Sequence, residues 1–175
     1  YYEKNQIKTV STEVQDTIRV GVIGRVSSAK GVSLAGEFLE YWDNNISKKM
    51  QCYFYGDVVD NDLDVKTFKT KTLSFSNVTV LFKGFVNDKD VFFDTFDIVI
   101  HFNAFEPFPR IYFDAMARIK PVVGFNSGGI KEQAGIFGQE NKLVELFEGW
   151  PSVMSHIIIT VHDNLERCQN KILEK

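Results

Sequence analysis

Two cysteines in 175 residues, Cys52 and Cys168, are all the thiol chemistry available, and they lie far apart with no C-x-x-C spacing. That excludes a disulfide framework and a cysteine-built zinc site, and suits reduced, buried thiols in a cytosolic protein. A basic surplus is also missing. The 20 Lys and Arg face 23 Asp and Glu, for a formal net charge of -3, so nothing draws the chain as a whole to a phosphate backbone and no nucleic-acid partner is expected. No run approaches 18 uninterrupted apolar residues, because Lys, Asp, Asn or Glu breaks every candidate, which excludes a membrane-spanning helix. Only 4 prolines and 12 glycines are present, too few for a fibrous or low-complexity chain. The chain opens Tyr1-Tyr2-Glu3-Lys4, with neither an initiator Met nor a basic-then-apolar leader. Nothing in it reads as a signal peptide, and it reads as a piece of a longer protein.

What the chain does have is alternation. Hydrophobic residues make up 44% of it, and they fall into short runs rich in Val, Ile and Phe, separated by stretches with helical spacing. Strands are expected at 18–23, 51–55, 78–82, 97–102 and 121–125. Helices are expected at 34–44, 65–73, 88–96 with Asn87 as N-cap, 109–118 with Pro109 in the first turn, and 127–138 behind a Gly-Gly turn. One long helix should run from Pro151 to about Glu174. Strand and helix taken in turn predict an α/β fold, a Rossmann-like parallel sheet flanked by helices. The length suits a single domain over 1–175, with a core of about 18–150 and a C-terminal helix of about 151–174.

In such a sheet every strand-to-helix loop emerges at the carboxyl edge, where ligands bind. The first of these loops carries Arg25 and Lys30 and the third Gly84, Phe85 and Val86. The fourth carries Asn103 and Glu106, and the fifth Asn126, Ser127, Gly128 and Gly129. Two cations, a carboxylate and a Gly-Gly turn on one rim suit an anionic ligand that also bears hydroxyls. In Gly24-Arg25-Val26-Ser27-Ser28-Ala29-Lys30-Gly31 the two cations flank a loop feeding a helix start, where N–H groups and the dipole also favour anions. Spacing alone fits two solvated loop cations equally well, and neither a Walker A loop nor a G-x-G-x-x-G fingerprint is present. Glu106 precedes a helix, where a carboxylate commonly serves as a cap. Asp60-Asn61-Asp62-Leu63-Asp64 fails as a calcium loop, since Val65 stands where glycine is needed, and reads as a solvated acidic turn. His101, at a strand end, and His156 and His162, six apart, read as core or surface histidines.

Taken in order, five blocks resemble the donor-binding C-terminal domain of the family 4, or group 1, glycosyltransferases, over roughly residues 18–135. They are Gly24-Arg25-x4-Lys30-Gly31, Lys83-Gly84-Phe85-Val86, Phe96-Asp97-Ile98-Val99-Ile100, Glu106-Pro107-Phe108-Pro109-x4-Asp114-Ala115-Met116-Ala117, and Lys120-Pro121-Val122-Val123 with Gly128-Gly129-x2-Glu132. The resemblance implies one half of a GT-B enzyme, a retaining glycosyltransferase using a nucleoside-diphosphate-sugar donor, whose N-terminal acceptor-binding domain lies outside this chain. On that pattern Arg25 and Lys30 hold the diphosphate and offset charge on the leaving group without a metal ion or other cofactor, and Glu106 bonds hydroxyls of the transferred sugar. Asp114 stands where the family's second glutamate grips the ribose, one carbon shorter. The amides of Arg110 and Ile111 add donors to the phosphate, Gly128 and Gly129 let the main chain approach the sugar-phosphate, and Phe85 and Val86 border the base. The resemblance further implies a cytoplasmic protein with peripheral membrane association through the missing half, and a fragment inactive alone. Two alternatives stay open: a catalytically inactive GT-B-like scaffold, for which the short Asp114 speaks, and a sugar-nucleotide epimerase.

Overall fold

The structure, a computed structural model, describes residues 17–174. Seven helices and six strands alternate along it: β1 (Thr17–Ile23), α1 (Val32–Asn45), β2 (Lys49–Tyr55), α2 (Leu63–Thr72), β3 (Val78–Gly84), α3 (Lys89–Phe93), β4 (Ile98–His101), α4 (Arg110–Met116), β5 (Val122–Phe125), α5 (Gly128–Phe137), β6 (Leu143–Val144), α6 (Trp150–Asp163) and α7 (Leu165–Leu173). All strand pairs are parallel, in the order β3-β2-β1-β4-β5-β6. β1 therefore lies at the centre, and the order reverses between β1 and β4, which leaves a crevice at the carboxyl ends of those two strands.

Side-chain alternation along the strands feeds two cores. On one face Ile18, Val20, Cys52, Phe54, Ile100 and Phe102 meet α1, α2 and α6 through Phe38, Trp42, Phe68 and Trp150. On the other, Tyr55, Val99 and Val122 meet α3, α4 and α5 through Phe93, Tyr112, Met116 and Ile130. Gly21 in mid-strand has a packing reason: a Cβ there would stand 2.5 Å from the ring of Phe96. Asp97 follows that ring and forms a two-pronged ion pair with Arg19 of β1, at 3.0 and 2.9 Å.

Three local features differ from the sequence reading. The N-cap of α3 is Asp88, not Asn87: its carboxylate accepts from the N–H groups of Asp90 (3.0 Å) and Val91 (3.4 Å). β6 is an extra strand of two residues, too short to show a period. The helix expected from Pro151 to Glu174 breaks at Asn164, whose φ of -124° leaves the helical region. The Asn164 side chain donates to the Thr160 carbonyl at 2.9 Å, the local side-chain bond by which asparagine competes with a helical backbone. Past the break α7 turns to the other face, where Ile172 joins the α3–α5 core.

Candidate functional site

β1 ends at Gly24, and the chain then runs alongside the loop after β2. Gly24 N–H donates to the Tyr55 carbonyl and Val26 N–H to the Asp57 carbonyl, each at 2.8 Å. A single 3-10 turn, Ser28–Lys30, follows and closes on Gly31, whose φ of 79° serves both as its C-cap and as the N-cap of α1. No larger residue fits there, because a Cβ would lie 2.3 Å from the Phe102 carbonyl oxygen. The acidic turn is part of this arrangement. Asp62, read from sequence as solvated, caps α2 through Asp64 and Val65 and also accepts from Ser28, from its N–H at 2.7 Å and its hydroxyl at 2.5 Å. The Ser28 hydroxyl and then its N–H hold the Asp62 carboxyl below the ordinary carboxylate range.

Opposite, the loop after β4 is built around Glu106. Lys30 Nζ sits 2.9 and 2.8 Å from its two oxygens, and Asn103 Nδ2 donates to Oε2 at 3.0 Å. Burial alone would raise the Glu106 carboxyl, but the Lys30 and Asn103 hydrogen bonds outweigh it and hold the group below its usual value. Glu106 is not a helix cap: the N-cap of α4 is Pro109, which offers no side-chain bond. His101, the last residue of β4, brings Nε2 to 3.7 Å from Glu106 Oε2. Arg25 is exposed and pairs with no carboxylate among the described residues.

These loops enclose a cleft of about 960 Å³ at the β1/β4 crevice. Arg25, Lys30, Phe85, Val86, Glu106, Arg110, Ile111 and Asp114 all line it, together with His101, Asn103 and Lys89. The N–H of Tyr112 donates to the Pro109 carbonyl at 3.0 Å, and the amides of Arg110 and Ile111 precede it at the helix end, where N–H groups have no intrahelical partner. Asp114 accepts two bonds from Lys89, at 2.8 and 2.7 Å. Gly128 and Gly129 lie outside the lining. The close approach they allow is to the Glu106 loop: a Cβ on Gly128 would be 2.7 Å from the Glu106 carbonyl oxygen, and one on Gly129 1.9 Å from that of Pro107. Gly129 N–H also donates to the Glu106 carbonyl at 3.3 Å, and the Ser127 hydroxyl to that of Ala104. From sequence His101 reads as a core or surface histidine; it is buried, and its place at a strand's carboxyl end, where ligands bind in such sheets, also puts it on the cleft. Among the described residues no three His, Cys, Asp or Glu side chains cluster closely enough to hold a metal ion, and no helix is long and apolar enough to cross a membrane.

The sequence profile of the family described as glycosyl transferases group 1 matches residues 3–148. The chain belongs to this family. No curated protein sequence matches it. Among solved structures, this group 1 glycosyltransferase chain superposes on Anabaena HepE in complex with UDP-glucose with a TM-score of 0.69 and 23% identity, covering 91% of this chain and 43% of that one. For a mutant of S. aureus TarM in complex with Fondaparinux, alpha-GlcNAc-glycerol and UDP, the TM-score is 0.65 at 21% identity, with 98% and 35% covered. The C-terminal domain of a glycosyl transferase group 1 family protein (LpcC) from Francisella tularensis gives 0.62 at 22% identity, with 89% and 80% covered. The chain thus spans less than half the length of the HepE and TarM chains. The shared architecture is the Rossmann-like half of a GT-B glycosyltransferase fold.

Proposed function

We propose that this chain is the donor-binding half of a retaining glycosyltransferase that moves a hexose-type sugar from a nucleoside diphosphate to an acceptor hydroxyl. The acceptor is held by an N-terminal domain outside these 175 residues, so the present chain alone binds donor and does not turn it over. The observation that carries this reading is the convergence of Arg25, Lys30, Glu106 and the start of α4 on one cleft at the sheet's switch point. Two cations, Arg25 and Lys30, offset the charge that gathers on a departing diphosphate, and no metal ion is required for that. Glu106, held in place by Asn103 and Lys30, presents a carboxylate to sugar hydroxyls. The amides of Arg110 and Ile111 supply further donors to the phosphates.

Asp114 serves the ribose hydroxyls, and its pairing with Lys89, a cleft residue itself, fixes the shorter carboxylate at the edge of that subsite. Phe85, two-thirds exposed on the rim, and Val86 border the base. Gly128 and Gly129 act on the sugar-phosphate through the Glu106 loop they pack against. Because HepE and TarM were solved with UDP or a UDP-sugar, a uridine donor is the first to test. The enzyme works in the cytoplasm, with any contact to a membrane surface made by the other half.

Calorimetric titration of this chain with UDP, GDP, ADP and the matching monophosphates tests the reading. One diphosphate should saturate, bind more tightly than its monophosphate, and lose about 1.5–3 kcal/mol in Arg25→Ala, the usual cost of removing a charged hydrogen-bond partner. Absence of binding by all three diphosphates would exclude a donor site and leave the inactive scaffold.

A further inference from the structure

His101 is more than nine-tenths buried and lines the cleft, yet its Nδ1 has no hydrogen-bond partner among the described residues. Its Nε2 faces Glu106 Oε2 at 3.7 Å, the same oxygen that Lys30 and Asn103 contact. The charged groups that bear on the ring are Glu106 and Lys30, while on the neighbouring strand β5 the residue in register with His101 is the uncharged Gly124. Burial first, and the Lys30 charge with it, hold the imidazole below its ordinary value against the pull of Glu106. At neutral pH the uncharged form of the ring is thus favoured while Lys30 occupies the carboxylate.

A diphosphate changes this balance. It competes for the Lys30 ammonium, and each step of that ammonium away from Glu106 exposes a half-buried carboxylate and lifts a repulsion from the ring. We propose that His101 takes up a proton from solvent when a nucleoside diphosphate engages Lys30, and as imidazolium replaces Lys30 as the cation that holds Glu106. The Nε2–Oε2 gap closes by about 1 Å to reach a charge-assisted hydrogen bond. His101 is then a positioning residue: it touches Glu106 and not the reacting atoms. The proposal rests on reading the cleft as a donor site.

The test is an NMR pH titration of the imidazole signals of this chain, alone and with saturating UDP. His101→Gln assigns the signal, or, where that variant does not fold, His156→Gln and His162→Gln assign it by elimination. The His101 midpoint should lie below the ordinary value of about 6.5 and rise by about one to three pH units with UDP, as expected for a carboxylate left facing it; UMP, lacking the second phosphate, should move it less. In parallel, the ratio of wild-type to His101→Gln affinity for UDP cancels the protonation of the nucleotide itself. That ratio should grow about tenfold as the pH falls across the shifted range. A midpoint that stays in place while UDP binds, or a flat ratio, overturns the proposal and leaves the donor reading standing. Failure of UDP, GDP and ADP to perturb any cleft signal overturns both.

Discussion

At the scale of single residues the site is a set of charges held by one another. Lys30 and Glu106 are each about a third exposed or less, and their ion pair, with the bond from Asn103, fixes the position of both groups in the cleft. Asp62 does the same for the loop that carries Lys30, through Ser28. Its carboxyl is depressed in the folded chain, so its contribution is complete above the ordinary aspartate value and is lost as the pH falls through the lower folded value. Asp62→Asn is therefore expected to melt below wild type and to bind UDP more weakly at pH 7. The melting difference should shrink as the pH falls below the ordinary aspartate range and the wild-type carboxyl protonates; a pH series of thermal melts on both proteins checks this.

Among the elements, α5 has a second duty besides covering the sheet. Its first turn lies against the Glu106–Pro107 backbone so closely that Gly129→Ala would put a methyl 1.9 Å from the Pro107 oxygen. Overpacking of this kind costs about 1–3 kcal/mol. The variant is expected to lose that much in urea denaturation and to weaken nucleotide binding by moving Glu106, although residue 129 does not line the cleft. The strands and helices that form β1 to β5 and α1 to α5 were legible in the sequence because their apolar periods run for four residues or more. Two-residue β6 has no period. The break at Asn164 depends on one side chain turning back to Thr160, and the apolar spacing continues across it. In the site, Arg25, Lys30 and Glu106 were legible because loop position alone put them on the rim. The pairing of Asp62 with Ser28, 34 residues apart, and of His101 with Glu106 follows from how loops fold back, which no local pattern records.

For the molecule as a whole, an aromatic cluster joins the sheet to the helices behind the cleft. Phe38 of α1 lies 5.9 Å from Trp42, 5.6 Å from Phe102 and 6.1 Å from Trp150, ring centre to ring centre. It thereby ties α1, the end of β4 and α6 in one contact. Phe38→Ala is expected to destabilise the fold by about 3–5 kcal/mol, measured by denaturant unfolding, with the cleft loops displaced because Phe102 precedes Asn103. The central place of β1 has a further consequence, in the order of events as the chain leaves the ribosome. β1, β2 and β3 can pair as soon as residue 84 has emerged, but the second neighbour of β1 is β4, and the Glu106 backbone gains its bond from Gly129 later still. Nucleotide can therefore act as a folding ligand only once α5 has emerged. A block in synthesis before β4 leaves a half-sheet of β1, β2 and β3 whose open edge is β1, with the proposed nucleotide cleft not yet formed.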